Sequence, residues 1–362
     1  MTMLPETPSD RLARHRALIL LAALSCAVRL VYSAAVYLQN TGNAAWIEAM
    51  GGSVLSMPAL LLVGSLLRKK NKSGAPASLR LQKFFCLLFI PFFSFDASSW
   101  VFALAESASY TTFADESLYF LYLPALITVT LIVSRGGNAC GALAKGILWV
   151  VAVMLGVAMI WQAEQLHPVW LTPMLGSGIE PIARGSALCG GYAALYPIGL
   201  WVLLRCGEEP PDEAAHRRLL RALPIAGLTA ALFLLFYGAL TPNIPDAPHI
   251  RSFAMERLLT GGGRSTSVHF PSLLSWYALL LVSAVYSLFC TACALHMLLP
   301  KASFLLCAAL GGLMSLLWTP VRLFWKHGED LLVFANIVVV TVALLILYGY
   351  ETWKRRNMHA KP

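Results

Sequence analysis

Arg29 and Asp96 each stand about twelve residues inside a long apolar stretch. At a rise of 1.5 Å per helical residue, both sit roughly 18 Å deep. An ionisable side chain at such depth in a bilayer costs about 2.5–3.5 kcal/mol on insertion scales, so it needs a partner or a task. An arginine there suits a carboxylate, and an aspartate suits an ammonium group or a proton. Two readings stand open: an ion pair that fixes helix register, with desolvation offsetting the attraction, or a site for a ligand or proton. Ser25, Tyr32 and Ser33 fall at i−4, i+3 and i+4 from Arg29 and form one polar stripe with it. Ser99 and Trp100 share a face with Asp96. Glu48 and Glu106 lie near the ends of their apolar stretches and are expected to be solvated or to snorkel.

A second group of residues bears on backbone rather than charge. Gly190, Gly191 and Pro197 interrupt the run that also carries Tyr192 and Tyr196. Helix breakers at membrane depth are tolerated where the backbone lines a cavity or is buried in protein, and they often mark transporter binding sites. Close packing through small residues is the other reading. Ser283, Tyr286 and Ser287 share one helical face and either line a pocket or bond across helices. Gly311-Gly312 and Pro320 suggest packing and a kink.

Catalytic chemistry is not expected. The sequence holds no H-E-x-x-H, G-x-S-x-G, P-loop or dinucleotide fingerprint. Cys290-Thr-Ala-Cys293 has redox or metal spacing, but it lies in a hydrophobic run without a companion pair, and the eight cysteines read as packing residues. The eight histidines do not pair at metal spacing. The expectation is therefore no catalytic residue, no metal, no cofactor and no enzyme.

The elements that must position these residues are membrane helices. The chain of 362 residues is 58% hydrophobic and only 12% charged, against about 25% charged for soluble proteins. That excludes a soluble enzyme, a disordered chain and a disulfide scaffold. Ten spans are expected, at 17–38, 44–67, 84–105, 117–134, 143–163, 185–205, 219–241, 271–298, 302–324 and 331–350, within one transmembrane domain covering 1–362. With the N-terminus inside, twenty of the 27 Lys and Arg residues fall in cytoplasmic segments, six outside, and Arg29 in the membrane. This asymmetry places both termini in the cytoplasm, and the net charge of +9 reads as topology, not as a nucleic-acid footprint. Residues 164–184, with three prolines and two glycines, are not expected to form one regular helix. Within 242–270, Ile250, Phe253, Ala254 and Leu258 share a face, which suits a helix on the membrane surface; a lid is the alternative.

Ten spans with a discontinuous sixth suit an inverted five-plus-five repeat of the amino acid–polyamine–organocation transporter type. More specifically, Leu166–Ala187 resembles the Leu-x-Pro…Gly-x-Gly-Ile-x-Pro-Ile stretch of the spore germination permease family, the B subunits of nutrient germinant receptors. Ala44–Trp46 is similar to that family's Asp-Ala-Trp, with Ala44 in place of the acid. Arg135-Gly136 and the Pro248 to Arg257 stretch fall where the family has counterparts. The first span differs, having neither Gly nor Pro from Ala17 to Leu38, so Arg29 is expected to supply charge recognition where the family opens its backbone. The resemblance implies a receptor subunit in the inner membrane of a bacterial spore, binding a small nutrient and acting with A-type and C-type subunits. The alternatives are a proton-coupled transporter of an amino acid or amine with Asp96 as carrier, and a non-binding scaffold. The expected ligand-binding set is Arg29, Tyr32, Asp96, Gly190, Gly191, Tyr192, Tyr196, Ser283 and Tyr286, with the two glycines offering free backbone groups.

Overall fold

The computed structural model describes residues 8–41, 44–73, 79–111, 118–162, 167–171, 178–206, 213–240 and 266–324, with 338–339, 341–342, 345–346, 348–350 and 352–353. Its helices are α1 (Pro8–Thr41), α2 (Ala45–Ser73), α3 (Leu79–Thr111), α4 (Leu118–Ser134), α5 (Gly137–Gln162), α6 (Ile179–Ala193), α7 (Leu195–Cys206), α8 (Glu213–Leu240), α9 (Thr266–Leu298) and α10 (Phe304–Phe324). A 3₁₀ turn at Pro168–Leu171 precedes α6. No strand occurs among the described residues. The surface helix or lid expected within 242–270 and most of the expected tenth span fall outside them.

Among the described residues, five helical stretches are long and apolar enough to cross a bilayer, and four shorter apolar helices accompany them. The distribution of side chains inverts that of a soluble protein. Trp149, Ile160 and Leu317 are exposed, whereas Arg29, Glu48 and Asp96 are buried. Apolar surface facing outward is the pattern lipid demands, and helices satisfy their own backbone there. The chain is an all-α, polytopic membrane protein.

The packing follows an inverted repeat. Counting α6 and α7 together as span six, α1 packs on α6 and α7, α2 on α8, α3 on α9, and α4 on α10. Each of the first four spans thus meets the one five positions later, consistent with an inverted repeat. Two clusters result: α1, α2, α6 and α8 on one side, and α3, α4, α9 and α10 on the other, with α5 touching both α1 and α9. The second cluster is tied by polar groups. Trp318 donates to Ser94 Oγ at 2.9 Å, Ser98 and Tyr122 share a hydrogen bond at 3.2 Å, and the Tyr122 hydroxyl reaches the Ser315 carbonyl at 3.4 Å. Such bonds hold helices together where hydrophobic burial gives no preference over lipid. Gly311 packs against Leu288 and Thr291, and Gly312 against Thr130, which makes both glycines contact points between helices.

The first cluster closes through glycines. A Cβ on Gly52 would lie 2.9 Å from the Cys189 carbonyl carbon and 3.0 Å from the Gly190 nitrogen, so the backbones of α2 and α6 nearly touch. Gly190 returns the approach, with Leu55 Cβ 2.8 Å from where its own Cβ would be. Because the neighbour is backbone, it has little room to yield. Gly52→Val is expected to destabilise the fold by about 1–3 kcal/mol, read as a lower melting temperature in detergent. Gly146→Ala, at an exposed position with nothing within 4 Å, should leave it unchanged or slightly raised.

Candidate functional site

Span six begins earlier than expected, at Ile179, because Gly178 turns the chain at φ 85°, ψ 169°. That conformation is open essentially to glycine alone. Pro181 then sits in the first turn, where its missing N–H costs nothing. The break falls within the expected 190–197 stretch. The helix runs through Gly190 and Gly191 to Ala193 and is interrupted at Ala194, which keeps right-handed helical torsions. Pro197 supplies the cause: without an N–H it leaves the Ala193 carbonyl unmatched. Gly190 and Gly191 are buried in α6, and the Gly190 carbonyl accepts from Ala194 N–H at 2.9 Å. The expectation that Gly190 offers free backbone to a ligand is corrected accordingly: its role is close approach to α2.

At the centre of the bundle Arg29 forms a buried ion pair with Asp96, joining α1 to α3. The same carboxylate accepts from Trp100 Nε1 at 3.2 Å and from the Ser287 hydroxyl of α9. The guanidinium carbon lies 4.4 Å from the centroid of Trp100 and 4.2 Å from that of Tyr192, between two aromatic faces. Each such contact contributes ~0.5–2 kcal/mol, more when desolvated. The cation is thus neutralised by one acid and cradled by rings from α3 and α6.

Aromatic layers lie on either side. Tyr32 packs on Trp100 with centroids 5.3 Å apart and stacks on Trp276 at 6.5 Å. Tyr196 stacks on Tyr286 at 5.1 Å, and the Tyr286 hydroxyl donates to the Tyr196 carbonyl at 2.7 Å. That contact places α9 against the first turn of α7, just past the interruption. Gly199 makes room for the Tyr286 hydroxyl. Ser283 is buried in α9, but its hydroxyl donates to the Leu279 carbonyl of its own helix at 3.0 Å. That hydroxyl is thus engaged within its own helix.

Of the expected residues, then, the structure brings Arg29, Tyr32, Asp96, Tyr192, Tyr196 and Tyr286 together, while Gly190 and Gly191 are buried within α6 and Ser283 bonds within α9. Ser287 and Trp100 were placed on the right faces by helical spacing but not assigned to the site. Trp276 was missed, since one tryptophan in an apolar run carries no positional signal. Glu48 overturns its expectation outright. It is fully buried in the first turn of α2, with its carboxyl over Gly185 of α6, where a side chain would collide with it. Glu106 is half-buried. The seven cysteines among the described residues with placed side chains are buried and not in disulfides, Cys290 and Cys293 included.

Several buried polar atoms around the pair have no hydrogen-bond partner among the described residues: Arg29 Nε, Ser25 Oγ, Ser33 Oγ, Tyr196 OH and Trp276 Nε1. The Tyr196 hydroxyl lies near Arg29 and Trp100. Unmet polar atoms cost about 1–3 kcal/mol each, and native structures contain few of them. Among the described residues no three of His, Cys, Asp and Glu converge to hold a metal ion.

No family model matches the chain, and no curated protein matches it. Solved structures do. A manganese transporter of Eremococcus coleocola, in complex with an aromatic bis-isothiourea substituted compound, is similar over 94% of this chain and 79% of its own, with a TM-score of 0.60 and 16% identity. MHP1, a nucleobase-cation-symport-1 family transporter in a closed conformation with bromovinylhydantoin bound, matches over 90% and 77%, at 0.60 and 15%. MhsT in complex with L-phenylalanine matches over 91% and 87%, at 0.64 and 15%. The chain has the inverted five-plus-five repeat fold of secondary transporters.

The pair yields a double-mutant prediction. Removing one partner strands a buried charge and costs about 3–5 kcal/mol. Arg29→Met and Asp96→Leu should each lower the melting temperature markedly, while the double substitution should be less destabilised than the sum of the two. Additive losses would mean that the two residues do not depend on each other.

Proposed function

We propose that this chain is a permease-type membrane protein that takes a small carboxylate-bearing nutrient, an amino acid in the first instance, at the Arg29–Asp96 site. One observation carries the reading. A buried guanidinium beside the interruption of span six is shared by a single acid, and its Nε has no hydrogen-bond partner among the described residues. A ligand carboxylate would meet Arg29, while its ammonium group, or a proton, would meet Asp96. Tyr32, Tyr192, Tyr196 and Tyr286 would form the walls. The fold supports this, because MHP1 and MhsT have small organic molecules bound in it. In this reading the chain is a secondary transporter rather than an enzyme, with both termini in the cytoplasm and Asp96 carrying the coupling proton.

A second reading rests on a different observation, the resemblance of Leu166–Ala187 to the germination permeases. In it, the same site binds a nutrient in the inner membrane of a spore, and A-type and C-type subunits convert the conformational shift into germination. The two readings share the ligand and differ in its consequence.

Thermal stability of the purified chain, screened against amino acids, nucleosides and sugars, tests what they share. A ligand that binds only the folded state stabilises it by about 2.7 kcal/mol at one hundred times Kd. An upward shift with an amino acid, lost in Arg29→Ala, is expected. Retention of the shift in Arg29→Ala would remove Arg29 from recognition, and no shift with any compound would favour a scaffold. Uptake into proteoliposomes under a pH gradient then separates the two readings. Asp96→Asn should abolish the pH dependence of uptake while keeping ligand binding. Binding without uptake, together with co-purification of A-type and C-type subunits, would mark the receptor.

A further inference from the structure

The polar atoms left unmatched around Arg29 are unbalanced in kind. Arg29 Nε and Trp276 Nε1 are donors only, and Ser25, Ser33 and Tyr196 are hydroxyls that each have a hydrogen to give. All five residues are at most 3% exposed. The nearby carboxylate that would accept from them, Asp96, already takes Arg29, Trp100 and Ser287. A molecule that fits this set must therefore bring acceptors, more of them than a single carboxylate supplies.

Their placement gives a length. Ser33 is four residues along α1 from Arg29, on the same face, and so about 6 Å further along the helix axis. Trp276 lies at a comparable height, since it stacks on Tyr32, three residues along α1 from Arg29. A ligand with its carboxylate at Arg29 and a second acceptor roughly 6 Å away would reach Ser33 and Trp276. That separation is comparable with the span of an extended amide side chain and longer than that of serine. Charge decides between amide and acid. Among the described residues Arg29 is the one buried Arg or Lys, and Asp96 already neutralises it. A second ligand carboxylate would enter without a counter-charge, which burial penalises heavily.

Resting on the ligand site proposed above, we infer that its ligand is an amino acid with a neutral amide side chain, glutamine or asparagine, and that Ser33 and Trp276 read the amide. The carbonyl oxygen of the amide accepts from the indole N–H and the serine hydroxyl, while Arg29 holds the carboxylate. A site built to bond a polar group discriminates against an analogue lacking it, because its own buried donors are then left unmet.

Titration calorimetry on the full chain in detergent tests this, with glutamine and asparagine set against their apolar counterparts methionine and leucine, and with glutamate. The amides should bind roughly tenfold tighter than the apolar analogues or better, as two recovered hydrogen bonds imply, and glutamate more weakly than glutamine. Ser33→Ala and Trp276→Phe, checked for unchanged melting temperature, should each reduce that preference while leaving leucine affinity as it was. Equal or tighter binding of leucine and methionine would overturn the inference, as would a preference that survives the double substitution. Those outcomes leave the carboxylate site intact. Failure of every amino acid to bind, leucine included, would instead remove the site itself and this inference with it.

Discussion

A guanidinium in the middle of a bilayer dictates its surroundings, and here Arg29 dictates most of the bundle's centre. Its countercharge comes from α3, one face of its aromatic cradle from α3 and the other from α6. The carboxylate that answers it also accepts from α9. One pair of charges therefore sets the relative height of α1, α3, α6 and α9, two helices from each half of the repeat. Buried pairs of this kind add little net stability, because desolvation consumes the attraction. What the pair supplies is position, since any sliding of one helix past another would leave a charge unmatched.

Around that fixed point, span six is held by two different sets of contacts. Its first half, α6, lies against α2 with backbones in near contact at Gly52 and Gly190. Its second half, α7, is held by α9 through the Tyr196–Tyr286 stack and the hydroxyl-to-carbonyl bond. Ala194 divides the two, where Pro197 withdraws a donor from the helical ladder. Tyr192 and Tyr196 stand on either side of the division, and both face Arg29. The site thus lies at the joint between a half-helix fastened to one cluster and a half-helix touching the other. A molecule bound there would contact both, which is the geometric requirement for coupling occupancy to their relative arrangement.

What could be read from sequence was whatever depends on helix periodicity alone. Arg29 and Asp96 match in depth because both spans run the same way and the rise per residue is constant. Their shared faces with Ser33 and Trp100 follow from the same regularity. What could not be read depends on a partner distant in sequence. Glu48 looked solvated from its place near a helix end, but Gly185, far along the chain, provides the space that buries it. Gly190 suits a hinge and a packing seam equally, and Gly52 and Leu55 on α2 decide for the seam. Ser283 and Ser287, one turn apart, part company because only Ser287 faces a carboxylate. The early start of span six at Ile179 follows from a torsion at Gly178 that no hydropathy window registers.

Under either proposed function, ligand binding at this site would have to loosen one arrangement and favour another. An ion pair buried this deeply resists loosening unless each charge has support when the other turns away. Asp96 has that support from Trp100 and Ser287, donors that do not depend on Arg29. Arg29 has it from the faces of Trp100 and Tyr192, which stabilise the cation without neutralising it. A ligand carboxylate could then take up the guanidinium without stranding the aspartate, and a ligand ammonium could approach the aspartate without stranding the arginine. Aromatic faces on one charge and hydroxyl and indole donors on the other would lower the cost of such an exchange relative to an isolated salt bridge in hydrocarbon.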